Sequence, residues 1–276
     1  MPLSSPTSPT PSAAVPLDGS LNTLLLRGLL AGLIAGLLAA TVGYFVGEPK
    51  IDAAISIEEA NSAKEKAAEH TEEPAGHTHG DEEEPLVSRV GQKAGQFLAL
   101  GLSGLALGAI FGSVAYFARR YSTLSGPKLV LGLALAGWTA IVAVPFFKYP
   151  ANPPAVGEPD TINQRTLLWL AAVLLGLAAV GIGVYVYKLL AAQLDTVRLI
   201  AGVGAFVLVV VLGYVLLPGI NEVKDDFPAA LLWQFRAASL GETATLWACL
   251  GLGFAALSEF ATRGSTPVRE PVTTAG

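Results

Sequence analysis

The sequence predicts an all-α fold, a polytopic membrane helix bundle of about six transmembrane helices with an acidic, His-bearing outer loop. Three observations predict it. Hydrophobic residues make up 52% of the chain and charged ones only 14%, where a soluble domain carries about a quarter charged. Mean hydropathy is +0.55. Charge is also segregated: several runs of about twenty residues have none, and ~20 apolar residues suffice to cross a bilayer core. Finally, Glu48 to Glu84 holds twelve of the 22 carboxylates, all three histidines and only three lysines. The polar chemistry of the chain is therefore concentrated in one place.

Residues 1–21 are rich in Pro, Ser and Thr and are expected to be a disordered tail. They lack a cationic start, and the apolar run after them is too long for a signal peptide, so a retained helix is expected. A membrane domain then occupies 22–262, with its acidic His-containing loop at 48–93, and 263–276 form a second disordered tail. The first span runs from about Leu24 to Val46, with Gly28, Gly32 and Gly36 on one face. Gly104, Gly108 and Gly112 repeat that spacing in the second span, Ala94–Phe117. Small residues four apart admit another helix at close range, in the same chain or in a partner; the motif alone leaves both open. Further spans are expected at Leu129–Phe147, Thr166–Lys188, Leu199–Leu217 and Gln234–Phe260.

Six spans place both termini on one side. Arg119, Arg120, Lys128, Lys188, Arg198, Arg263 and Arg269 fall on that side, so the positive-inside rule makes the termini cytoplasmic and the His loop external. Two further connectors share the outer side, Phe146–Thr166 and Leu216–Arg236. Both are polar, and four prolines between 150 and 159 stiffen the first.

His77 and His79, with His70 and the acids Asp81 to Glu84, have the composition of a metal-collecting loop for borderline divalent ions such as Co²⁺, Ni²⁺ or Zn²⁺. The bland alternative is a solvated acidic loop. Glu48, Asp52 and Glu59 follow the first span, and the positions of Asp52, Ile55 and Glu59 suggest that the helix continues as an amphipathic segment. These acids either solvate a helix end or concentrate divalent cations at a mouth. Arg165 can pair with Glu158 or Asp160, and Asp160 or Thr161 can cap the fourth span. The connector acids, Glu222 among them, are alternatively oxygen ligands at the mouth. Glu242 is an ionisable group among apolar neighbours within the last span, a position that is costly and functional by default. It either holds a cation or proton in transit, pairs with Arg236, or sits in the headgroup layer.

Several chemistries find no support. A single cysteine, Cys249, excludes a disulfide framework within the chain, and Met1 is the only methionine. No basic surface suggests nucleic acid, and membrane lipid is the expected surrounding. There is no nucleophile elbow, no H-E-x-x-H and no nucleotide-binding P-loop, so an enzyme is not expected. A membrane-anchored metal-binding or sensor protein is the alternative to a transporter.

Three pieces together resemble the CbtA family, the proposed cobalt transporter subunit. They are EPKIDAAISIEEA with HTHGDEEE, FFKYPANPPAVGEPDTINQRT, and LLPGINEV with FPAALLWQFRAASLG, within residues 22–260. The resemblance implies a multi-pass protein of the bacterial inner membrane that takes up cobalt for corrinoid synthesis. It also implies a very small one-span partner, CbtB. The matching polar positions are Glu48, Asp52, Glu58, Glu59, His77, His79, Asn152, Asp160, Arg165, Asn221, Glu222 and Arg236.

Overall fold

Apolar runs punctuated by capping residues become long helices in the computed structural model, which describes residues 16–69 and 87–264 apart from Ala155, Glu158 and Asp225. His70, His77, His79 and Asp81 lie outside the described residues, as do Glu158 and both tails. Among the described residues, six helices are long and apolar enough to cross a membrane: Leu21–Lys64, Arg89–Tyr121, Gly126–Lys148, Ile162–Leu189, Asp195–Leu216 and Ala229–Ala261. They coincide with the six expected spans.

Ser20 starts the first helix, α1 (Leu21–Val42), its hydroxyl accepting from Thr23 N at 3.2 Å. A π-helical turn, Gly43–Gly47, leads without a break into α2 (Glu48–Glu69). The run from Leu21 to Glu69 is roughly 70 Å long at 1.5 Å per residue, more than twice a bilayer core of ~30 Å. The segment expected as a loop from 48 to 93 is therefore helical to Glu69, and helical again from Arg89. The amphipathic continuation read at 52, 55 and 59 extends ten residues further than its pattern. Ser88 caps α3 (Arg89–Ala118) by accepting from Gly91 N at 3.2 Å.

The third span is α4 (Gly126–Trp138), a second π turn at Thr139–Ala143, and α5 (Val144–Lys148). The remaining spans are α6 (Ile162–Leu189), α7 (Asp195–Leu216) and α8 (Ala229–Gly264). Both π turns share one cause. Each is followed, one residue later, by a proline: Pro49 after Glu48, and Pro145 after Val144. Proline has no N–H to give and its ring clashes with the carbonyl four residues back. The preceding residue answers by reaching five back instead of four: Glu48 N bonds Gly43 O and Val144 N bonds Thr139 O.

The spans pack in a row: α3 on α1, α1 on α8, α8 on α4, then the π turn at Thr139–Ala143 and α5 on α6, and α6 on α7. The glycine faces of α1 and α3 meet each other, which answers what the spacing left open. A Cβ on Gly28 would collide with the Gly108 carbonyl oxygen, one on Gly32 with that of Gly104, and one on Gly112 with that of Leu24. Leu24, Phe111, Leu250 and Phe254 fill the core beside this seam, the two rings edge-on at 5.4 Å.

The ends of the bundle differ. At one, Arg119 donates to Gly19 O at 2.7 Å and Lys188 to Tyr121 O at 2.8 Å, so these two of the cations assigned to one side share an end. The other, the connector end, carries α2 and both proline-rich connectors.

Candidate functional site

At the connector end a series of polar groups descends from α2 into the bundle. Asp52 is outermost, accepting from Lys93 Nζ at 2.7 Å and Arg89 Nε at 2.9 Å. One turn below, Glu48 is buried and accepts from Arg89 Nη2 at 2.5 Å. The helical period stacks these partners, since Arg89, Lys93 and Gln96 lie one turn apart along α3. Gln96 reaches the π turn of the first span. There, the side-chain amide of Gln96 and the carboxylate of Glu242 occupy the space that a Cβ on Gly43 would need. Gln96 Oε1 is buried without a hydrogen-bond partner among the described residues.

Glu242 is deeper than its distance from the expected span end implied. Because α8 begins at Ala229, Glu242 lies about 20 Å along the helix axis from its start. It does not pair with Arg236. That guanidinium instead donates to Asn152 Oδ1 at 2.9 Å and to Ala151 O at 3.2 Å. Glu59 is exposed on the projecting part of α2. Its neighbour Glu58 lines a cleft of about 170 Å³ with Lys224, Asp226 and Val156, so α2 reaches both connectors.

Between the connectors, the Glu222 side chain is 5% exposed and meets Arg165 Nη1 at 2.7 Å. The Thr161 hydroxyl donates to its other oxygen. Arg165 was expected to pair with an acid of its own connector, Glu158 or Asp160; Glu158 lies outside the described residues, and Glu222 of the other connector takes the guanidinium. Thr161 stands at the N-cap of α6 but spends its hydroxyl on Glu222, not on its own helix. Tyr149 completes the clasp by donating to Pro218 O at 2.7 Å, and burial pushes its phenol above the ordinary value, so it stays a donor. A cavity of about 750 Å³ lies beneath this clasp, lined in part by Asn152, Arg165, Trp169, Glu222 and Arg236.

With this geometry in view, comparison with known proteins is decisive on one point. A family model described as "Probable cobalt transporter subunit (CbtA)" matches residues 21–259. The chain belongs to the CbtA family. The match spans α1 through nearly all of α8, so every group just described lies inside it. As a CbtA member the chain is a multi-pass membrane protein of a transporter-subunit family, and "subunit" implies a partner. No curated protein and no solved structure matches it.

Sequence reasoning had singled out Glu48, Asp52 and Glu242, which the structure brings to one line. It missed Arg89 and Gln96. Both sit at the charged or amide-bearing start of α3, at i and i+7 with Lys93 between, and that spacing was the available signal. Among the described residues, no group of three or more His, Cys, Asp and Glu is arranged to hold a metal ion.

Proposed function

We propose that this CbtA member is the membrane subunit of a divalent-metal importer with Co²⁺ as cargo, and that cations enter at the connector end. One observation carries the reading: a carboxylate within a span, Glu242, lies below Glu48 and beside the π turn at Gly43–Gly47. π turns recur at functional sites because they free backbone groups and reshape a helix face. An acid so placed is costly unless it is used.

In this reading the connector end faces outward and both termini are cytoplasmic, in a bacterial inner membrane. His70, His77, His79 and Asp81, with Glu59 on the projecting α2, gather the ion. Asp52 and Glu48, held by Arg89 and Lys93, exchange it inward by letting a divalent ion replace the cationic side chains. Glu242 and Gln96 receive it. Imidazole and carboxylate donors accept Ni²⁺ and Zn²⁺ as readily, so selection for cobalt rests on the path or on a small CbtB-like partner. Glu222 shapes the mouth by clasping the connectors, and contributes oxygens only where the Arg165 pair opens. A divalent cation moving inward gains about 4.6 kcal/mol per 100 mV of membrane potential, twice the single-charge value.

The test is uptake of radioactive cobalt against nickel and zinc into vesicles holding the purified chain, with and without the small partner. Intact protein should accumulate cobalt, and replacing His77 and His79 by alanine should raise the concentration needed for half-maximal uptake. Vesicles impermeable to all three ions, partner included, would leave the metal-binding anchor as the better reading.

A further inference from the structure

We propose that the cavity between the two proline-rich connectors binds a small organic carboxylate, with Arg236 as its charge partner. Among the described residues, the charges lining this cavity are Arg165, Glu222 and Arg236. The first two neutralise each other at 2.7 Å. Arg236 meets no carboxylate among the described residues. Its Nε and Nη2 are fixed by Ala151 O and Asn152 Oδ1, while Nη1 has no partner there. The described lining is therefore net cationic, unlike the acid line on the α1–α3 side, and such a lining repels a divalent cation while attracting an anion.

Arginine presents donors in a planar fork, and an anchored fork with one free edge suits a carboxylate. The Ser239 hydroxyl, one turn along α8, also lines the cavity and makes no hydrogen bond among the described residues. Volume and walls decide between organic and inorganic anions. About 750 Å³ falls in the range of sites for multi-atom ligands and far exceeds a bare sulfate. Trp169, Tyr149 and the connector prolines supply flat apolar surface for a carbon skeleton. The inference is independent of cobalt transport, because it is read as binding to the purified chain.

The experiment is calorimetric titration of the full chain in lipid nanodiscs with 3-phenylpropionate, 3-phenylpropanol and sulfate. The carboxylate should bind saturably, and the alcohol and sulfate at least tenfold more weakly. Ser239→Asp puts an acid three residues from Arg236, on the same helix face, and should weaken phenylpropionate at least tenfold without moving the thermal midpoint. That variant keeps the bonds that hold the connector, so it remains informative if Arg236→Gln fails to fold. No saturable binding, unchanged binding in Ser239→Asp, or sulfate as tight as the carboxylate would each overturn the proposal.

Discussion

Arg89 donates to Glu48 at 2.5 Å although 41 positions separate them, and so ties the start of the second span to the exit of the first. Glu48 is buried, which makes the loss of its partner more costly than loss of a surface pair. Arg89→Ala should destabilise the protein by roughly 2 kcal/mol, the cost of a buried polar group left unpaired. Thermal unfolding in detergent should show it as a midpoint lowered by about 4–8 °C. A midpoint within error of the parent would mean that Lys93, 4.0 Å from Glu48, or water satisfies the carboxylate in place of Arg89.

The α1–α3 seam depends on backbones that touch. Gly108→Ala should cost about 1–3 kcal/mol, as overpacking does, because the added methyl meets the Gly28 carbonyl. Gly204→Ala in α7 is the control, since nothing lies within 4 Å of its Cβ position. Helix propensity should make that change neutral or stabilising by up to about 1 kcal/mol. Equal loss of midpoint in both variants would contradict the seam.

Pro49 is the cause assigned to the wide turn at Gly43–Gly47. Pro49→Ala restores an N–H, so the turn should tighten to α-helix and rotate α2 by about 100°, one residue's turn. Glu48 and Asp52 then leave Arg89 and Lys93. In a double-mutant cycle, coupling between Glu48→Gln and Arg89→Gln should fall close to zero in the Pro49→Ala background while helix content by circular dichroism holds.

Glu222 and Arg165 should be strongly coupled, because the carboxylate is 5% exposed and the pair bridges two connectors. A cycle of Glu222→Gln and Arg165→Gln is expected to give about 1–3 kcal/mol. Coupling below about 0.5 kcal/mol would place the pair with ordinary surface bridges.

Glu242→Gln tests the transport reading at its deepest acid. Cobalt uptake into vesicles should drop at least tenfold, about 1.4 kcal/mol or more in barrier terms, with the thermal midpoint preserved because an amide of equal size fills the same space. Full uptake in this variant would remove Glu242 from the path.

The sequence by itself determined the spans, because crossing a bilayer needs only a local property: about twenty apolar residues in a row. It also marked the glycine faces and the concentration of acids after the first span, which are patterns of spacing and composition. Pairing was different. In sequence, Arg165 can reach acids of its own connector, and a pair with Arg236 is one of three readings of Glu242, since neighbours in sequence are the natural first guess. Tertiary structure instead joined Arg165 to Glu222, Arg236 to Asn152 and Glu48 to Arg89, and chose α3 as the partner of the α1 glycines. Such choices rest on packing between segments far apart in the chain, where the depth and rotation of each helix decide which groups meet. Even the π turns, local as they are, became functional candidates only when Gln96 and Glu242 arrived beside one of them from two other helices.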